Sequence, residues 1–258
     1  MANDTLLVAE MFYSQQSEGI STGVPAFFLR LAQCNLLCGG LKGSLIKQGK
    51  ATWYCDTIEV WKKGVETSFE DIYQKFVDYK IVDWLQSGRV HLIISGGEPT
   101  MDIHQNKLVQ FIEWLKTRLK GRNNNNDQLY IEIETNGTNQ IKPELWKYIS
   151  QINCSPKLSN SGMSQKIRIK PDTIAQFKTH PNHQFKFVIN TEDHLKECIG
   201  DFIIPYNLNW TEIVLMPGVD NLADLSARTR EVFELGIKYG FRAITRSHIL
   251  AWDKTTGV

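Results

Sequence analysis

Short apolar runs alternate with amphipathic helical stretches along most of this 258-residue chain, and no other feature limits its fold as much. Leu6–Ala9, Pro25–Leu31, Val90–Ile94, Leu129–Glu134, Ile152–Cys154, Phe185–Ile189, Glu212–Met216 and Phe241–Thr245 read as strands. Between them, Phe69, Ile72, Tyr73, Phe76 and Val77 share one face of a helix whose start is marked by Ser68 and Asp71. Leu108, Ile112, Leu115 and Leu119 mark the buried stripe of a second helix. Pro143 opens a short one over Lys142–Ile149. Asn221 caps a long helix carrying Leu222, Leu225, Val232, Phe233 and Leu235, and Gly240 ends it. Gly121 and the run from Asn123 to Asp127 read as a polar surface loop. Repeated strand–helix units predict an α/β fold with a parallel sheet under outer helices, and ligands at the carboxyl ends of the strands. With no repeat and no linker, residues 1–258 read as a single domain.

With 29 Lys+Arg against 28 Asp+Glu, the net charge of +1 gives no global attraction to nucleic acid or anionic membrane. No apolar run approaches the roughly 20 residues of a membrane span. Met1–Thr5 lacks the basic region and apolar stretch of a secretion signal. The expected compartment is the cytoplasm, where an odd count of five cysteines argues against a disulfide framework. Cys34 and Cys38 form a C-x3-C pair directly after a strand, and Cys55 follows after sixteen intervening residues. Three thiolates are one short of the usual four ligands, so on an iron–sulfur cluster one position stays open. The same cysteines also read as small buried hydrophobes. Three further segments fall at the ends of successive strands: Ser95-Gly96-Gly97-Glu98-Pro99, Glu134-Thr135-Asn136-Gly137 and Ser155-Pro156-Lys157. Each alone reads equally well as an ordinary turn. Their shared placement sets them apart.

Cys34-x3-Cys38, a third cysteine preceded by aromatics (Trp53-Tyr54-Cys55) and Gly-Gly-Glu-Pro together resemble the radical S-adenosylmethionine (SAM) enzymes. Further motifs narrow the resemblance: Tyr13-Ser14-Gln15-Gln16-Ser17-Glu18-Gly19, Gly23-x-Pro25-Ala26-x-Phe28-x-Arg30, Cys55-Asp56-Thr57 and Arg246-Ser247-His248. Across nearly the whole chain the pattern is similar to the 7-carboxy-7-deazaguanine synthase family of queuosine and deazapurine biosynthesis.

That resemblance implies a partial (βα) barrel of the radical SAM type. It also implies a [4Fe-4S] cluster on Cys34, Cys38 and Cys55, with the open iron chelating SAM. Tyr54, Cys55, Asp56, Gly97, Glu98, Ser155, Pro156 and Lys157 match positions lining the SAM site; Glu134, Asn136, Met216 and Pro217 are assigned to the same cofactor set. The implied reaction is that of a lyase, converting 6-carboxy-5,6,7,8-tetrahydropterin to 7-carboxy-7-deazaguanine with loss of ammonia. Thr57 matches a Mg2+ position, in keeping with that ion's preference for oxygen. Gln15, Gln16, Ser17, Glu18, Arg30, Ser95 and His248 match substrate-contacting positions, and Val258 is assigned to the same set because some relatives bring their chain end to the substrate. Read without the resemblance, Arg30 is a surface strand residue and His248 a core histidine. His91, His104, His180, His183 and His194 join no constellation, and Cys154 and Cys198 lie outside the cluster motif. A homodimer and a low-potential electron donor such as flavodoxin complete the implied set, with neither nucleic acid nor membrane.

Two departures stand out. The family's third cysteine follows the second after two residues, so Gly39–Thr52 reads as a 14-residue insertion inside the cluster loop. It carries Lys42, Lys47 and Lys50, which suit an acidic electron donor or simply a solvated loop. Ser17 stands where the family has Gly. The alternatives are a glycyl-radical-enzyme activase and a non-catalytic zinc-binding module.

Overall fold

The structure, a computed structural model, describes residues 4–120 and 128–258. The polar run 121–127 that reads as a surface loop lies outside the described residues, as do the first three. Nine strands form a single open sheet among the described residues: β1 (Thr5–Gln15), β2 (Pro25–Leu31), β3 (Val65–Ser68), β4 (His91–Gly96), β5 (Ile131–Thr135), β6 (Gln151–Cys154), β7 (His183–Ile189), β8 (Ile213–Pro217) and β9 (Arg242–Ala243). Their order is β3-β1-β2-β4-β5-β6-β7-β8-β9. From β2 through β9 every pairing is parallel, while β1 runs antiparallel to both β2 and β3. The sheet is thus a part-barrel of βα units with an antiparallel border at its amino-terminal edge.

Period-two alternation divides the strands between two different faces. One face carries Phe27, Leu29, Leu31, Leu92, Ile94, Ile131, Ile133, Ile152, Phe185, Phe187, Ile189, Ile213 and Leu215, all in one continuous core. Helices Phe69–Asp78 and Asp102–Lys120 cover it with Phe69, Ile72, Tyr73, Phe76, Leu108, Phe111, Ile112, Leu115 and Leu119. Phe69 meets Phe111 edge-on at 5.4 Å, a contact worth about 0.5–1.5 kcal/mol beyond its buried area. The concave face is different. After a small apolar patch of Phe12, Ala26, Phe28 and Ile93 it turns polar: Glu132, Glu134, Gln151, Asn153, Gln184 and Lys186 point inward from β5, β6 and β7. Such a face cannot pack against a helix layer without stranding polar groups, so the sheet curves around a polar interior.

Most of the expected elements form, with altered ends. Ser68 caps its helix, accepting from Asp71 N–H at 3.0 Å. Asn221 does the same for helix Leu222–Tyr239 through Asp224 N–H at 3.0 Å, and Gly240 closes that helix at φ 77°. Val77, Leu222 and Phe233, expected on buried stripes, are exposed, while Phe69, Ile72, Phe76, Leu225 and Val232 on the same helices are buried. The expected strand Phe241–Thr245 shrinks to Arg242–Ala243 at the sheet edge, and the helix over Lys142–Ile149 is one turn, Pro143–Trp146. No helix among the described residues is long and apolar enough to cross a membrane.

Candidate active site

The carboxyl ends of the parallel strands open into a cavity of about 480 Å3, within the usual range for small-molecule sites. Cys34, Cys38 and Cys55 all line it. The sixteen residues between Cys38 and Cys55 do not part them, since Cys55 N–H donates to Cys38 O at 3.1 Å. The loop between is closed at its base. Gly39 N–H donates to Ser161 O at 2.8 Å, and Thr52 N–H to Asn160 O at 2.9 Å. Asn160 also accepts from Trp53 Nε1 at 2.9 Å and donates to Val188 O at 2.9 Å, tying the loop to β7. Gly39 sits at φ 77° with a Cβ position only 2.3 Å from Tyr54 Cα, so the two loop strands touch where only glycine fits. Cys38 and Cys55 therefore meet as in a four-residue turn.

All five cysteines are free thiols. Burial pushes Cys34 up to about 11 and Cys38 up to about 12; the Lys157 ammonium pulls both the other way. Lys157 is held by Ser155 Oγ at 2.9 Å and lies 5.7 Å from the Trp53 ring. Asn136 Nδ2 donates to Asn35 Oδ1 at 3.0 Å and approaches Cys34 Sγ at 3.8 Å. Three soft donors on one wall, with no disulfide among them, fit an iron–sulfur cluster with one open iron.

The substrate-side expectations gather in the same cavity. Gln15, Gln16, Ser17, Glu18, Arg30, Ser95, His248 and Val258 line it, as do Tyr54, Asp56, Thr57, Gly97, Glu134, Asn136, Ser155, Lys157, Met216 and Pro217. Glu18 is the electrostatic centre. Burial opposes its charge, but Lys186 (2.5 Å) and Arg246 (3.0 Å) hold its carboxyl well below the usual range. Burial pushes Glu134 up, reinforced by the Glu18 charge; Lys186 and a 3.1 Å bond from Gln16 Nε2 act against this. Burial also pushes the His248 imidazole down, and Ser17 Oγ holds its Nδ1 at 2.8 Å. Arg30 gives Nη1 to Glu10 at 2.6 Å and lies 4.8 Å from the Phe12 ring. Beside it in register, Ser95 carries a buried hydroxyl with no hydrogen-bond partner among the described residues. Such an orphan costs about 1–3 kcal/mol unless a ligand satisfies it.

Two expected cofactor contacts stand elsewhere. Glu98, fully buried, is not on the cavity wall. Its Oε1 accepts from Thr100 N–H (3.0 Å), Thr100 Oγ1 (2.5 Å) and Thr135 Oγ1 (2.7 Å), and its Oε2 from Asn136 N–H (2.6 Å). A carboxylate so occupied fastens the end of β4 to the end of β5. Pro156 is likewise buried behind the wall, between Ser155 and Lys157 that do line it. Gly97 does belong to the wall; a Cβ there would fall 1.7 Å from Gln33 O. Conversely, the sequence reading left Lys186, Arg246 and Asn153 out of the site. A lysine interrupting Phe185-Lys186-Phe187 was the available signal for the first.

Over 258 aligned residues, 99% of either chain, the sequence is 29% identical to the 7-carboxy-7-deazaguanine synthase of Pyrobaculum aerophilum. It is 27% identical to that of Halobacterium salinarum (96% of this chain, 91% of the relative) and 26% to that of Leptospira interrogans (100% of both). Along nearly its whole length the chain is thus similar to curated 7-carboxy-7-deazaguanine synthases. Among solved structures, QueE from Escherichia coli shares the fold with this chain at a TM-score of 0.60 and 20% identity, over 93% of this chain and 92% of that one. Native anSMEcpe with bound AdoMet follows at 0.50 and 15%, over 87% of this chain and 66% of that one. No protein-family model matches the chain.

Proposed function

We propose that this protein is a radical SAM lyase that converts 6-carboxy-5,6,7,8-tetrahydropterin to 7-carboxy-7-deazaguanine with release of ammonia, as the names of its relatives suggest. The observation that carries the reading is a single cavity holding both the three thiols and Glu18, Arg30, Ser95 and His248. Cys34, Cys38 and Cys55 hold the [4Fe-4S] cluster, which with SAM supplies one-electron, hydrogen-abstracting chemistry. Tyr54, Asp56, Gly97, Asn136, Ser155, Lys157, Met216 and Pro217 surround SAM, while Glu98 and Pro156 support that wall from behind.

On the substrate side, the ionised Glu18 accepts N–H donors from the guanidine-like edge of the pterin, each carboxylate oxygen having a second lone pair beyond its ion pair. Arg30, whose guanidinium has donors beyond the one given to Glu10, and the orphan hydroxyl of Ser95 meet the substrate carboxylate. Thr57, whose hydroxyl lies 3.2 Å from Cys55 Sγ, is the oxygen ligand for Mg2+. His248 enters as neutral imidazole, and Glu134 is the carboxyl best suited to hold a proton beside the substrate. A homodimer in the cytoplasm, served by a flavodoxin-type donor, completes the proposal.

Anaerobic incubation of the reconstituted protein with SAM, reductant, Mg2+ and carboxytetrahydropterin should yield 7-carboxy-7-deazaguanine, and Cys38→Ala should abolish it. Turnover that survives Cys38→Ala overturns the ligand assignment. No product from cluster-replete wild type overturns the reaction.

A further inference from the structure

Arg246 belongs to neither the cofactor set nor the substrate set, yet it touches both. Its three guanidinium nitrogens go to three different walls. Nε donates to Glu18 Oε1 at 3.0 Å, on the loop that follows β1. Nη2 donates to Asp56 Oδ2 at 2.7 Å, next to Cys55. Nη1 donates to Val219 O at 2.5 Å, just past the Met216-Pro217 stretch at the end of β8. The side chain is only 15% exposed, and Lys186 occupies the other oxygen of Glu18. A guanidinium is a rigid plane with fixed angles between its donors, so the spacing between Asp56 and Glu18 is set by the arginine itself. A lysine in its place is a point charge on a flexible stem.

We propose that Arg246 is a positioning residue that couples the two halves of the cavity, so that SAM bound beside Asp56 presets Glu18 for the pterin. The inference rests on the functional reading above, which puts SAM on the Asp56 side and the pterin on the Glu18 side. Energetic coupling between two sites needs a physical element that both ligands bias, and Arg246 is bonded to one carboxylate from each. Val219 anchors the same plane to a third loop, which keeps the bridge from following either partner alone. Once Asp56 has been fixed, the guanidinium plane holds Glu18 in the position that meets the pterin, and the converse holds by reciprocity.

The test is anaerobic equilibrium binding of carboxytetrahydropterin to cluster-loaded, unreduced protein, with and without SAM, so that no turnover intervenes. In wild type, SAM should tighten pterin binding by about tenfold, within the usual range of coupling factors. In Arg246→Gln the factor should fall to about one, and pterin affinity without SAM should also weaken, because Glu18 has lost a cation. Arg246→Lys should restore that affinity in part while leaving the factor near one. Asp56→Ala cuts the cofactor arm, so with SAM raised to saturation the factor should fall to about one. A role confined to stability would lower the melting temperature of these variants and leave the factor intact. A wild-type factor of one, or a wild-type-sized factor in folded Arg246→Gln, overturns the proposal. If Arg246→Gln does not fold, an unchanged factor in Asp56→Ala overturns it equally. Wild-type protein that binds no pterin under either condition instead sinks the pterin reading itself, a separate and distinguishable result.

Discussion

Glu98 and Ser95 lie three residues apart and make opposite trades. Glu98 accepts four hydrogen bonds that join β4 to β5, so Glu98→Ala strands buried donors at Thr100, Thr135 and Asn136. The expected cost is about 2–4 kcal/mol in denaturant unfolding of the metal-free protein. Ser95 buries a hydroxyl that no atom of the described residues satisfies. Ser95→Ala should leave that stability unchanged or raise it by up to about 1 kcal/mol, while the KM for the pterin rises. Neither role was legible from Ser-Gly-Gly-Glu-Pro alone. The partners of Glu98 lie on another strand, and an orphan hydroxyl is defined only once its surroundings are packed. Lys186 was closer to legible, since a lysine inside an otherwise apolar strand needs a buried partner, here Glu18. The thiols give a pH signature. Because burial pushes Cys34 up to about 11 and Cys38 up to about 12, the folded metal-free chain holds these protons more tightly than the unfolded one, whose thiols titrate near 9. That contribution to stability is complete below about pH 9 and disappears as pH rises through the folded values. The melting temperature of the metal-free protein should therefore fall above about pH 9, and fall less in Cys38→Ala.

At the scale of elements, the loop between Cys38 and Cys55 is the departure that the structure resolves. Its base is stitched to Asn160 and Ser161, and the Cys55-to-Cys38 backbone bond is the i-to-i+3 bond that a Cys38-Trp53-Tyr54-Cys55 turn would make. Deleting residues 39–52 should consequently preserve iron loading. Loss of iron in a folded deletion variant would mean that the insertion itself shapes the ligand set. Strand and helix existence was legible because apolar periodicity decides it, but their ends were not. β1 runs to Gln15, well past the apolar Leu6–Ala9, because pairing with β2 carries it on to Gln15↔Pro25. The run after Gly240 stops early because it pairs with β8 over only two residues at the sheet edge.

For the whole molecule, the alternation of strands and helices made the parallel sheet and the location of its ligand site readable. The antiparallel border was not: β3 joins β1 through four-residue pairing that no local pattern announces. The polar lining of the concave face was written in Ile-Glu-Ile-Glu and Phe-Lys-Phe, but became meaningful only as a curved interior. That interior brings the three thiols and a charged recognition set drawn from both ends of the chain into one cavity, and the central claim is that the thiols hold a cluster with an iron left open for SAM. The most direct test is anaerobic reconstitution followed by metal analysis and electron paramagnetic resonance of the reduced protein, with and without SAM. The expected result is a brown protein with about four irons per chain and a signal that SAM shifts, both lost in Cys55→Ala. A colourless protein carrying about one zinc, with no response to SAM, would contradict the account.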